Sequence, residues 1–239
     1  MIKKYLRKLT IILIRNFIKL FISKKELSLS EDLIVLGRGK TLNNYFDNYE
    51  KLKNINNLIT VNFTKRDLGK NIDSLTNKNV IPIINIEEGV IPLLKIIKLN
   101  ISQCFITRTL DQKEETEKRR NFKGLLYGKV NYFTGKMVKD YYDKIITGSG
   151  FLAVVYFVNV LKVKNIYIFG FDFYQQGMHN VSMIDNFKTE ESLNIHQEHG
   201  KKVIRDFENF IKNSKETNFF FPKNTNISVK SSNFHLLDF

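Results

Sequence analysis

A chain of 239 residues, 43% apolar and 26% charged, has ordinary globular composition and enough length for one sizeable core, which excludes a disordered tail and an all-helical membrane bundle. Its formal net charge of +14 favours anionic company: nucleic acid, anionic lipid, or a phosphorylated or acidic substrate. No zinc-finger spacing or RNA-binding aromatic signature accompanies the cations, so no nucleic-acid partner is expected.

Residues 1–25, MIKKYLRKLTIILIRNFIKLFISKK, place Lys3, Lys4, Arg7 and Lys8 ahead of an apolar run. Arg15 and Lys19 interrupt that run, so it falls short of the ~20 apolar residues of a membrane span, and it has no small-residue cleavage site. At about 100° per residue, Lys4, Arg7, Lys8, Arg15 and Lys19 share one side of a helix, with Leu6, Leu9, Leu13 and Phe17 opposite. The pattern predicts a basic amphipathic helix over residues 1–28 lying in an anionic membrane interface; packing on the domain's own core is the competing reading. Residues 29–239 then form a single domain, cytoplasmic and peripheral on the inner face of the membrane.

The domain opens with LIVLGRGKTL, an apolar strand from Leu33 to Leu36, a glycine turn at Gly37-Arg38-Gly39, and a helix start with Thr41 in the capping position. Backbone N–H groups at such a turn are expected to bind an anion. Further apolar runs follow at LITVNF (58–63), VIPIINI (80–86) and QCFIT (103–107). Runs of this kind between helical connections predict a mainly parallel sheet with helices on both faces, a single Rossmann-like α/β domain. Ligands of such sheets gather at the carboxyl ends of strands, where Gly37, Asn62 and Asn85 fall. Cys104, the one cysteine, forms no intramolecular disulfide, fits a reducing compartment and reads as a small buried hydrophobe. The charged tract DQKEETEKRR (111–120) reads as a solvated helix or loop, and the Tyr-rich tract 126–142 as an acceptor-side loop or lid.

From Ile145 to Tyr174 the pattern is denser. Gly148-Ser149-Gly150 opens an apolar helix that feeds a strand, Asn165 to Phe169, ending at Gly170. The helix N-terminus, with Thr147 and Ser149, suits a phosphate or carboxylate. Asp172, Phe173 and Tyr174 sit just beyond the strand; the Tyr174 hydroxyl can donate to a leaving phosphate, while Phe173 reads as a core cap. His196 and His199 lie at i and i+3 of a helix. A metal site would need further ligands, so no metal is expected, and a general base is the stronger role.

In this order the segments LIVLGRGKTL, ITGSGFLAVVYFVNVLKVKNIYIFGFDFYQQG and IHQEHGKKVIRDF resemble the Campylobacter-type bacterial sialyltransferases of glycosyltransferase family 42. The resemblance implies a GT-A-like sialyltransferase variant that transfers sialic acid, or a related acidic sugar such as Kdo, from a CMP-activated donor to a glycan or glycolipid acceptor. The implied reaction is an inverting displacement without metal or cofactor, of the kind used to build lipopolysaccharide or capsule. Gly37 and Gly39 match the family's glycine turn, Asn62 a nucleotide-contacting asparagine, and Thr147, Ser149 and Gly150 the donor loop. Tyr174 matches a phosphate-binding tyrosine, Asp172 the strand-end aspartate and His196 the base, with His199 its rival. Gly148, Gly170 and Asn85 complete the expected donor site. The chain departs from the family at Arg38, where an asparagine is usual, and near Asn180, where a second tyrosine is missing and His179 or a lysine would serve; Lys144 is the nearest basic residue to the donor loop. A related pyrophosphokinase, a flagellin-modification protein, and a non-enzymatic basic binder of membrane or nucleic acid are the competing functions, and the oligomeric state stays open.

Overall fold

The computed structural model describes residues 32–63, 73–84, 104–108, 130–134, 148–175 and 190–239. The expected N-terminal helix, Asn85, tract 111–120, Lys144, Thr147 and His179 lie outside the described residues.

In chain order the elements are β1 (Asp32–Leu36), α1 (Leu42–Asn48) with a 3-10 turn (Tyr49–Leu52), β2 (Asn57–Val61), the single-turn α2 (Asp73–Thr76), β3 (Asn79–Ile84), β4 (Cys104–Arg108) and β5 (Val130–Thr134). Then come α3 (Ser149–Val155), continued by a π-helical stretch (Tyr156–Val160), β6 (Asn165–Phe169), α4 (Glu190–Asn213), β7 (Asn218–Pro222) and β8 (Phe234–Leu237). The eight strands of the described residues join one sheet in the order β5-β4-β3-β2-β1-β6-β7-β8, and every neighbouring pair is parallel. The fold is the open parallel α/β class expected from the apolar runs. Three strands were not anticipated: β5, inside the tract read as a loop or lid, and β7 and β8 beyond the last run read.

Register explains why the central strands are mainly apolar. Leu33 and Val35 line up with Ile166 and Ile168, and Val35 with Ile59, on the face that α3 and α4 cover with Val154, Phe157, Phe207 and Ile211. The opposite face carries Ile34 and Leu36 beside Tyr167 and Phe169, and there the Tyr45 ring of α1 lies 5.7 Å from Phe169. Leu33, Ile34, Val35 and Leu36 are all fully buried. A strand buried on both faces has no polar side to present, hence its unbroken run. Pro82 fits inside β3 because pairing with β4 begins only at Ile83, so the missing N–H breaks no ladder bond on that side.

The strand order reverses once, between β1 and β6. The chain builds outward from β1 through α1 to β2, and outward from β6 through α4 to β7 in the other direction. Right-handed crossovers running in opposite directions place α1 and α4 on opposite faces. The loops after β1 and β6 therefore diverge and leave a crevice between them at the carboxyl edge.

Candidate functional site

A cavity of about 270 Å³ occupies that crevice, lined by the β1 turn (Gly37, Arg38, Gly39), the end of β2 (Val61, Asn62), the start of α3 (Gly148 to Phe151) and the loop after β6 (Gly170 to Tyr174). Of the expected donor-site residues, Gly37, Arg38, Gly39, Asn62, Gly148, Ser149, Gly150, Gly170 and Asp172 all meet here, together with Tyr174. Val61, Phe151 and Phe171 complete its apolar wall without having been singled out; in sequence they look like any other core residue.

The glycines make the crevice by letting two loops touch. A Cβ on Gly37 would collide with the Gly170 carbonyl, and a Cβ on Gly170 would collide with that of Gly37. Gly170 also holds φ at +73°, and Gly148, capping α3, holds φ at +100°, conformations that glycine takes without strain. Gly150 leaves room for the Phe171 ring.

The β1 turn differs from the expected anion cradle. Gly37 N–H donates to Phe169 O at 2.7 Å and Gly39 N–H donates to Gly170 O at 2.9 Å. Thr41 N–H donates to Asp172 Oδ2 at 3.0 Å, while the Thr41 hydroxyl donates to Asp172 Oδ1 at 2.6 Å and accepts from Gly170 N–H at 2.9 Å. Thr41 holds the N-cap position yet makes no side-chain cap bond, because its hydroxyl is spent on the loop across the crevice. Asp172 is correspondingly buried, and burial pushes its carboxyl above the ordinary carboxylate range against the hydrogen bonds from Thr41. Its own carbonyl accepts from Gln175 N–H and from the Asn226 side chain at 3.1 Å. Asp172 thus holds the two loops together with its carboxylate turned onto Thr41. Asn226 arrives from 54 residues away, a partner no local pattern announces.

Among the described residues, three of the four non-glycine positions with positive φ line this cavity: Asn62 at +56°, Phe173 at +46° and Tyr174 at +65°. Such conformations persist only where the surroundings hold them, and they cluster at functional sites. Asn62 is anchored through its N–H to Ile83 O at 2.7 Å. The Phe173–Gln175 loop is held by α4: Gln175 Nε2 donates to Gln197 O at 2.7 Å, and the Cα of Gly200 packs so closely on the Phe173 carbonyl that no Cβ would fit. The Phe173 ring lies 5.6 Å from Phe207 and 5.9 Å from Phe171, the core-capping role expected of it.

Both candidate bases are positions of α4. His199 is exposed and does not line the cavity. His196 is a helical position four residues before Gly200, and its side chain lies outside the described residues.

Fold and site together define an open, Rossmann-like parallel α/β protein with a glycine-walled cavity at its switch point. Comparison with protein-family models, with characterised proteins and with solved structures yields no match.

Proposed function

We propose that this protein is a glycosyltransferase that moves sialic acid, or a related acidic sugar such as Kdo, from a CMP-activated donor to a glycan acceptor hydroxyl. The observation that carries the reading is the convergence of four separated segments, those ending in Gly39, Asn62, Gly150 and Tyr174, on one crevice at the switch point of a parallel sheet, a place where such folds commonly bind ligands. In this reading Asn62 and Ser149 contact the nucleotide portion from opposite walls. The acceptor oxygen attacks the anomeric carbon, its proton passes to His196, and the bond from that carbon to the phosphate oxygen breaks to release CMP. The Tyr174 hydroxyl donates to the phosphate as its charge grows. The reaction inverts the anomeric centre and uses no metal. The basic residues of segment 1–28 hold the enzyme against the inner membrane surface, near a lipid-linked acceptor.

Incubation with CMP-Neu5Ac or CMP-Kdo is expected to release CMP. His196→Ala should lower that release by roughly 10²–10⁴-fold while CMP binding persists, as loss of a general base does. His199→Ala should leave the rate near wild type. If CMP neither binds the protein nor raises its unfolding temperature, the transferase reading is withdrawn.

A further inference from the structure

At the switch point of a parallel sheet, the turn after the first strand usually meets a ligand anion with its backbone N–H groups. Here those groups are engaged within the protein. Gly37 and Gly39 donate to the carbonyls of Phe169 and Gly170. Thr41 donates from its backbone to the Asp172 carboxylate, which occupies the place at the start of α1 that a ligand anion would take. A second anion at that spot would find like charge and few donors. The turn nevertheless carries a cation, Arg38, which lines the cavity at 7% exposure. Among the described lining residues it is the one positive side chain. A guanidinium offers a planar fork of N–H donors matched to a phosphate or carboxylate, and low exposure spares it most solvent screening.

We propose that Arg38 is the anion-binding, specificity-determining residue of this site, receiving an oxyanion of the bound donor in place of the backbone cradle. The assignment builds on the CMP-donor reading, and the oxyanion has two sources in such a donor: the phosphate and the sugar carboxylate. Asn62 and Ser149, on the other walls, handle the uncharged parts.

Calorimetric titration of the full chain with cytidine, CMP, CMP-Neu5Ac and inorganic pyrophosphate tests this, using wild type, Arg38→Gln and Arg38→Lys. If the phosphate is the partner, wild type binds CMP more tightly than cytidine. Arg38→Gln then weakens CMP about tenfold or more and leaves cytidine unchanged, with Arg38→Lys between them because it keeps the charge but not the fork. If the carboxylate is the partner, only CMP-Neu5Ac weakens. Should Arg38→Gln fail to fold, the wild-type preference for CMP over cytidine, its loss at high salt and the Arg38→Lys titration still decide. Equal affinities of all three proteins for every ligand overturn the Arg38 assignment while leaving the CMP reading intact. Pyrophosphate binding that depends on Arg38, with no affinity for cytidine or CMP, retains Arg38 and removes the nucleotide. Absence of binding by wild type to all four ligands removes both.

Discussion

Burial raises the Asp172 carboxyl above its ordinary 3.8, and the hydrogen bonds from Thr41 oppose that rise without cancelling it. The folded protein therefore holds this proton more tightly than the unfolded chain does. Stability from the protonated form is full below 3.8 and is lost as pH rises through the folded value. Asp172→Asn, which cannot ionise, should lack that decline. Urea unfolding of both proteins between about pH 4 and about pH 7 should show the difference between them moving against the wild type as pH rises. A difference that stays flat would mean that burial does not perturb this carboxyl. Lys78 is another buried charge with a structural purpose. Its ammonium donates to the carbonyls of Leu52, Lys53 and Ile55 at 2.8, 3.1 and 2.7 Å, closing the end of the 3-10 turn. In sequence it is one cation among 38, and nothing local marks it.

At the scale of elements, Phe207 joins α4 to the rest. Fully buried, its ring stands 5.0 Å from Phe151 of α3, 6.0 Å from Phe171 and 5.6 Å from Phe173 of the crevice loop, and 6.3 Å from Phe221 of β7. Phe207→Ala is expected to cost ~3–5 kcal/mol in chemical denaturation, as for other large buried aromatics, and to weaken CMP binding by freeing Phe171 and Phe173. A loss below ~1 kcal/mol would show that neighbouring rings refill the space. The strands that escaped sequence reading show what makes an element legible. β1, β2 and β6 lie in the interior of the sheet, where burial on both faces writes an apolar run. β5 and β8 are the outermost described strands of the sheet, and β8 is only half-buried, so its Phe-His-Leu-Leu pattern accommodates a histidine. His235 is accommodated there by stacking on Phe220 at 4.9 Å, which in turn stacks on Tyr167 at 4.5 Å. β7, with Phe219 to Phe221, carries a run of the legible kind.

At the scale of the whole molecule, charge and topology meet. Among the described residues no helix is long and apolar enough to cross a membrane. The interfacial location proposed above rests on the net charge of +14 and on the basic residues that precede β1 in the sequence. The full chain should sediment with vesicles containing phosphatidylserine and be released by raised salt, since each cation near such a surface contributes only ~1 kcal/mol and is screened beyond about 10 Å. A chain beginning at residue 29 should stay in the supernatant. Equal sedimentation of the shorter chain would move the membrane contact onto the folded domain.

Read by itself, the sequence determined the fold class, the glycine turns and most of the cavity-lining residues, because these follow from local causes: apolar runs, residues permissive of positive φ, and the polar residues that end strands. What only the tertiary structure decided is who holds whom. Gly37 and Gly39 pack loop on loop and spend their N–H groups there, Asp172 serves Thr41, and Arg38 becomes the cation of the crevice. Those assignments depend on partners such as Thr41 and Asp172, which are 131 residues apart in the chain. Hydrogen bonds at that separation are set by strand order. Strand order follows from which apolar faces bury together best, and that choice is not written in any single segment.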